Sequence, residues 1–256
     1  MENNGLVIIT GGAKGIGAAC AHKFVNEQNR KVVLLDIDKD EGSKLAGQLG
    51  AACKFMYCDV SKSEEVKEAV NKAIELFGEV NTLVNNAGIN PYGTVTETTD
   101  ELWDKVMNIN LRSQFICARE CIPSMQKNGN GVIINVSSVQ AFHSQNKVAA
   151  YTTSKTALLG LTRSIAVDYS PTIRSVAICP GTVDTPMLRM AMQESPDPGK
   201  VYKECEDMHL AKRVAKPEEI ADLIVFAASE KASFITGQAL RIDGGLGLMI
   251  AGSKKD

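Results

Sequence analysis

The sequence predicts a single-domain, doubly wound α/β fold over residues 1–256, with a parallel sheet flanked by helices. Three observations predict it. Short apolar runs rich in Val and Ile recur without the polar alternation of a half-exposed strand, so they fit strands buried on both faces. Longer segments of helical period separate them, and strand–helix alternation favours a parallel sheet with right-handed crossovers. A glycine-rich turn joins the first strand to the first helix.

Leu6–Ile9 forms the first strand and leads through the glycine turn into a helix over Gly15–Gln28. Lys31–Leu35 is the second strand, ending at Asp36, and Glu41–Leu49 the second helix. After the third strand, Lys54–Tyr57, Ser61 and Glu64 make a capping box for the helix Ser63–Phe77. Thr82–Val84 is the fourth strand. Asp100–Lys127 reads as one long helix carrying Asn110 in its interior, where asparagine is intrinsically disfavoured. Val132–Val136 and Ser175–Ile178 are further strands around a helix over Tyr151–Tyr169. Pro217-Glu218-Glu219 opens another helix, with proline and carboxylates where a helix start favours them. The stretch Pro186–Leu210, with Met187, Met190, Met192, Pro196 and Pro198, breaks the rhythm. A loop or short-helix excursion of this length is usually functional, and residues 186–210 are read as a substrate lid.

Composition narrows the function. The net charge of −2 gives no electrostatic case for nucleic acid or an anionic membrane as partner. Seven cysteines without C-x-x-C spacing and three histidines indicate neither a disulfide framework nor a metal site; Cys117 and Cys121, one helical turn apart, read as buried small side chains. Met1–Asn4 lacks a basic leader and Leu6–Ile9 is too short to span a membrane, so the expectation is a soluble, cytoplasmic protein acting on a small molecule.

Thr10-Gly11-Gly12-Ala13-Lys14-Gly15-Ile16-Gly17 lies where an open α/β sheet binds a pyrophosphate, against N–H groups at a helix N-terminus. Glycines there avoid a Cβ that would block the turn and the approach of phosphate oxygens. The spacing is G-x-x-x-G-x-G, a loose match to the commoner dinucleotide pattern. Asp36 stands where a carboxylate accepts both adenosine-ribose hydroxyls and repels a 2′-phosphate, which favours NAD over NADP. Lys14 is the counter-argument, since a lysine in the turn is placed to meet that phosphate.

Tyr151 and Lys155 sit four apart and project from one helix face, following Ser137-Ser138 at a strand end. A free tyrosine has a pKa of about 10, and a nearby ammonium favours the phenolate. Ser138 is placed to hydrogen-bond the oxygen of an alcohol or carbonyl whose proton Tyr151 exchanges. Asn110 needs partners if buried, and a water leading to Lys155 would supply one.

TGGAKGIG, Asp36, Cys58-Asp59-Val60, Asn85-Asn86-Ala87-Gly88, Asn110, Ser138, Tyr151-x-x-x-Lys155, Pro180-Gly181 and Ile242-Asp243-Gly244-Gly245 together resemble the short-chain dehydrogenase/reductase family, in its compact one-domain, Rossmann-type branch. The resemblance spans essentially the whole chain. It implies that Gly11, Gly15, Ile16 and Gly17 hold the pyrophosphate and Asp36 the adenosine ribose. It implies that Asp59 and Val60 meet the adenine, that Asn86 lines the cofactor cleft, and that Pro180, Gly181, Val183 and Thr185 flank the nicotinamide. Lys155 would also bind the nicotinamide ribose, with Tyr151 as general acid/base, Ser138 as anchor of the substrate oxygen and Asn110 as keeper of a proton-relay water. The resemblance further implies a homotetramer paired through the helices Asp100–Lys127 and Tyr151–Tyr169 and the C-terminal strand, with a dimer as the alternative.

Substrate identity is the least legible part. Asn90, Tyr92, Gln140, His143 and Thr182 follow the motifs and are candidate pocket residues. The polar Asn90, Gln140 and His143 favour a polyhydroxylated substrate such as an aldose, oxidised to a lactone. Ser137–Ala141 and Asp184–Arg189 also resemble sugar-oxidising members of the family. The methionines of the excursion leave open an apolar substrate, as in a hydroxysteroid dehydrogenase or a 3-oxoacyl-carrier-protein reductase. A dinucleotide-sensing protein without catalysis is the non-enzyme alternative.

Overall fold

A computed structural model describes residues 5–248; Met1–Asn4 and the trailing Lys254-Lys255-Asp256 lie outside the described residues. Seven strands form one parallel sheet: β1 (Leu6–Thr10), β2 (Val32–Asp36), β3 (Cys53–Tyr57), β4 (Val80–Asn85), β5 (Gly131–Val136), β6 (Ile173–Pro180) and β7 (Ala239–Ile242). Their order is β3-β2-β1-β4-β5-β6-β7. The central strands are buried on both faces, which is why they read as continuous apolar runs. Ile8 pairs with Val33 on one side and Leu83 on the other.

The helices divide between the two faces. One layer holds α1 (Gly15–Asn26), α2 (Lys39–Leu49) and α9 (Pro217–Ala228), packed through Phe24, Leu45 and Ile224. The other holds α3 (Ser63–Phe77), α4 (Asp100–Met107), α5 (Ser113–Asn128) and α6 (Ala149–Tyr169), packed through Val66, Ile116, Met125 and Ile165. After β3 the chain crosses to β4 on the far side of β1. Ligand crevices form outside the carboxyl ends of strands at such a reversal.

Two local expectations need correction. The helix Asp100–Lys127 is interrupted by a π-turn at Asn108–Arg112, which separates α4 from α5. The capping box at Ser61 does not form: Lys62 precedes α3, and the Ser61 hydroxyl and N–H both donate to Asp59 Oδ1, at 2.7 and 3.0 Å. A carboxylate two residues upstream is the stronger acceptor, and it makes an Asx turn in place of the cap. Glu65 rather than Glu64 then reaches back, accepting from the Asp59 N–H at 2.8 Å.

Residues 186–210 fold into α7 (Pro186–Gln193) and α8 (Pro198–Asp207), each with proline in its first turn. All seven cysteines are free and buried, Cys117 and Cys121 within α5. Among the described residues no helix is long and apolar enough to cross a membrane, and no cluster of three His, Cys, Asp or Glu is placed to hold a metal.

Ile133, fully buried in β5 under the α5 layer, tests this packing. Ile133→Ala is expected to lose about 3 kcal/mol of stability. At about 2–4 °C per kcal/mol the thermal midpoint should fall by roughly 6–12 °C, which calorimetry or circular dichroism measures.

Candidate active site

The predicted residues converge on one cavity of about 560 Å³ at the carboxyl ends of the strands. Gly11, Gly15, Ile16, Asp36, Asp59, Val60 and Asn86 line its first half. Asn90, Ser138, Gln140, His143, Tyr151, Lys155, Pro180, Gly181, Thr182, Val183 and Thr185 line the second. Gly17 and Asn110 do not line it, and both stand directly behind its wall.

The glycine turn is a cradle with no room for side chains. Gly11 has φ +60°, and a Cβ there would lie 2.9 Å from Ala87 Cα. Gly15 has φ +55°, and its Cβ would meet Thr185 at 3.2 Å across the opening. A Cβ at Gly17 would sit 2.2 Å from the Gly11 carbonyl oxygen, so the absent side chain lets α1 pack onto the turn. The free N–H groups opening α1 face the cavity, a ready site for a pyrophosphate.

Two polar side chains fasten this turn to the loop after β4. The Thr10 hydroxyl accepts from the N–H groups of Asn86 and Ala87, at 3.0 and 3.1 Å. The Asn86 amide donates back to the carbonyls of Thr10 and Gly11, at 3.1 and 2.9 Å. Sequence reasoning placed Asn86 in the cleft but missed Thr10, whose only signal was its position at the strand end.

Asp36 closes β2 beside the turn. Its two oxygens accept from the backbone N–H groups of Ala13 and Asp38, both at 3.0 Å, which fixes the carboxylate with further lone pairs toward the cavity. Lys14 pairs with Asp38 at 2.5 Å. Lys14 also lines the cavity beside Asp36. Asp59 is held by Ser61, and those hydrogen bonds with the charge of Lys62 overcome partial burial to keep its carboxyl below the usual range. Gly11, Gly15 and Asp36 together fit an adenine dinucleotide.

In the other half, Tyr151 is 8% and Lys155 4% exposed. Lys155 Nζ donates to the Val136 carbonyl at 2.8 Å and lies 5.6 Å from the centre of the Tyr151 ring. Burial raises the Tyr151 phenol above its ordinary pKa, with a hydrogen bond from Ser138 pulling the other way. Burial also lowers the Lys155 ammonium from 10.5 to about 8. Desolvation is the largest cause of both shifts.

Asn110, fully buried in the π-turn, binds backbone directly. Its Oδ1 accepts from the Ile89 N–H at 2.8 Å, and its Nδ2 donates to the Ile89 carbonyl and the Ser154 hydroxyl at 2.9 and 3.1 Å. The expected water is therefore not needed to satisfy the side chain. Gly88 is the close approach between them: a Cβ there would lie 3.4 Å from Asn110 Oδ1 and 3.5 Å from Lys155 Nζ.

The substrate-side candidates divide. The Gln140 amide donates to Gln145 at 2.9 Å and accepts from Thr152 at 3.3 Å, so its polar ends are engaged. His143 is exposed and packs against Gly247. Asn90 lines the cavity with its Oδ1 buried and unpartnered. Tyr92 is outside the lining. Ala191, Cys205 and Met208 bring the expected 186–210 stretch to the wall, whereas Gln145 and Leu246 were not anticipated there.

The buried ammonium yields a stability prediction. The unfolded chain holds the Lys155 proton up to about 10.5 and the folded one only to about 8. Between those values the unfolded state binds more protons, so the group's contribution rises with pH there and is unfavourable below. Lys155→Met is expected to stabilise the cofactor-free protein at neutral pH by roughly 2 kcal/mol. Denaturant titrations at neutral and alkaline pH should show that advantage shrinking above the folded-state pKa.

A family model described as enoyl-(acyl carrier protein) reductase matches residues 11–247. An uncharacterized oxidoreductase of Thermotoga maritima is 41% identical over 244 residues, covering 94% of this chain and 96% of that protein. The ligand-free aldohexose dehydrogenase of Thermoplasma acidophilum superposes with a TM-score of 0.91 at 37% identity, covering 99% of this chain and 98% of that one. A 3-ketoacyl-(acyl-carrier-protein) reductase of Brucella melitensis, solved with NADH, gives 0.88 at 32% identity, covering 96% and 99%. With the glycine turn, Asn110, Ser138, Tyr151 and Lys155 assembled around one cavity, the chain belongs to the short-chain dehydrogenase/reductase family of oxidoreductases.

Proposed function

We propose that the protein is an NAD-dependent oxidoreductase that interconverts a secondary alcohol or sugar hemiacetal with the corresponding carbonyl or lactone, with a small polyhydroxylated molecule such as an aldose as substrate. The observation that carries the reading is the joint placement of Ser138, Tyr151 and Lys155 on the cavity wall reached from the glycine turn. The likeness to an aldohexose dehydrogenase supports the substrate class.

Gly11, Gly15, Ile16 and the start of α1 would hold the pyrophosphate, and Asp36 the ribose hydroxyls. Asp59 and Val60 would meet the adenine, while Pro180, Gly181, Val183 and Thr185 would flank the nicotinamide. When bound, the nicotinamide supplies hydride acceptance or donation and, in its oxidised form, a positive charge beside the phenol.

The chain's own residues handle the proton. The Ser138 hydroxyl donates to the substrate oxygen and orients it. In oxidation Tyr151 takes the hydroxyl proton as the C–H bond yields its hydride; in reduction it returns a proton to the carbonyl oxygen. Lys155, as an ammonium on the Val136 carbonyl, adds positive charge that favours the phenolate. Asn110 keeps Ile89 and Ser154 in register behind these groups, which fixes the floor under Lys155. Because burial alone raises the phenol, the charge delivered by the bound cofactor is part of what makes it a usable base.

One observation favours a second reading. Met187, Leu188, Ala191 and Met208 bring an apolar face to the cavity, which suits an alcohol with a hydrocarbon body such as a hydroxysteroid or an acyl thioester. We also propose a cytoplasmic homotetramer, or failing that a dimer, with Trp103, Phe115 and Val167, exposed on α4, α5 and α6, as interface residues.

Absorbance at 340 nm with NAD and NADP, over aldoses, secondary alcohols, hydroxysteroids and 3-hydroxyacyl thioesters, tests the reading. Turnover of an aldose with NAD is the expected result; turnover of a hydroxysteroid alone transfers the assignment to the apolar reading, and no turnover leaves a dinucleotide-sensing protein. Tyr151→Phe should lower kcat by about a thousandfold or more while NAD still binds, as seen by quenching of Trp103 fluorescence or by calorimetry. Asp36→Ala should cut the NAD-over-NADP ratio of kcat/KM by about tenfold or more, since it removes both the hydroxyl acceptor and the charge that repels a 2′-phosphate.

A further inference from the structure

The lid is tied to the cavity wall by a side chain that neither the motifs nor the comparisons assign. Past the end of α8 the chain turns inward and His209 enters the protein, 2% exposed. Its ring is enclosed by the last turn of α8, the Pro180–Val183 turn after β6, and Asp243-Gly244 after β7. Two glycines make room for it. A Cβ on Gly181 would lie 2.7 Å from His209 Nε2, and one on Gly244 would lie 3.4 Å from Cδ2.

The hydrogen bonds define the state of the ring. The Thr182 N–H can only donate, so His209 Nε2 accepts, at 3.1 Å. The Cys205 carbonyl can only accept, so Nδ1 carries the proton, at 2.6 Å. The ring thus bridges the two elements, with one nitrogen on the lid and the other on the wall. Other backbone groups of that turn are bonded elsewhere: Gly181 N–H to Ile242, the Thr182 carbonyl to Ala215, and Asp184 N–H to Ala215. Thr182 and Cys205, the residues that the ring joins, both line the cavity.

We infer that His209 is a positioning residue that holds α8 and the Thr182 turn in one register, so that the lid meets the substrate at a set distance from Ser138 and Tyr151. Its kinetic consequence rests on the proposed oxidoreductase function; its structural part does not. Loss of the acceptor frees the Thr182 N–H and uncouples α8 from the wall, and weaker substrate binding follows before any change in the chemistry at Tyr151.

The test compares His209→Leu, which removes the acceptor, with His209→Gln, whose amide oxygen reaches the place of Nε2. Hydrogen exchange on the full chain without ligand should show the amides of Thr182 and residues 198–207 exchanging about tenfold faster in the Leu variant, and within about threefold of wild type in the Gln variant. With the alcohol identified by the panel, the Leu variant should raise KM by about tenfold while kcat changes less than about threefold, and the Gln variant should restore KM. Unchanged Thr182 exchange in the Leu variant overturns the inference. So does a Gln variant as impaired as the Leu variant, or faster exchange that extends through β5 and so reports global opening. The exchange measurement needs no substrate, so an inactive panel defeats the functional reading alone.

Discussion

Where β1 and β4 stop pairing, the chain has to open a crevice without leaving backbone groups stranded, and the Thr10–Asn86 clasp is how it does so. One hydroxyl takes two N–H groups, and one amide serves two carbonyls. Buried donors and acceptors left unpaired would cost about 1–3 kcal/mol each, comparable to a sizeable part of a domain's net stability. The clasp satisfies the backbone of the glycine turn while setting the distance between the turn and the loop that carries Ala87, Gly88 and Ile89. Asn110 reads that loop through Ile89, and Lys155 passes close by Gly88. The glycine turn and the Tyr151–Lys155 pair are thus two ends of one bonded frame.

Burial dominates the electrostatics of the second half of the site. A lysine and a tyrosine removed from water both shift toward their neutral forms, and the one strand-end carbonyl on Lys155 does not reverse this. A positive charge placed beside the phenol would favour its phenolate and the phenolate would favour that charge, while the same charge would oppose the Lys155 ammonium.

Most of the fold was legible in the sequence because a parallel sheet leaves an unusually plain trace. Val, Leu and Ile runs at β1, β2 and β5 have no polar face to confuse the reading, and glycines mark the tight turn that follows β1. The errors came where local chemistry had several partners to choose from. Ser61 could serve a helix end or Asp59, and nothing in spacing says that the carboxylate wins. The π-turn at Asn108–Arg112 adds one residue to a helical circuit, a defect that a periodic pattern averages away. The cavity wall from Ala191 to Met208 was legible only as an excursion, since its contacts depend on how two short helices lie across strand ends far away in sequence.

Those two helices contribute little to the hydrophobic interior: α7 has no buried residue and α8 has Cys205 alone. Substitutions across most of this stretch therefore escape the stability penalty that polices β1 or β5. The same short helices bring Met187, Leu188, Ala191 and Cys205 to the cavity, so substitutions there would reshape its wall at little cost in stability. Evolvability is in that sense partitioned along the chain, with the Cys205–His209 corner as the one place in the excursion where the scaffold still constrains the search.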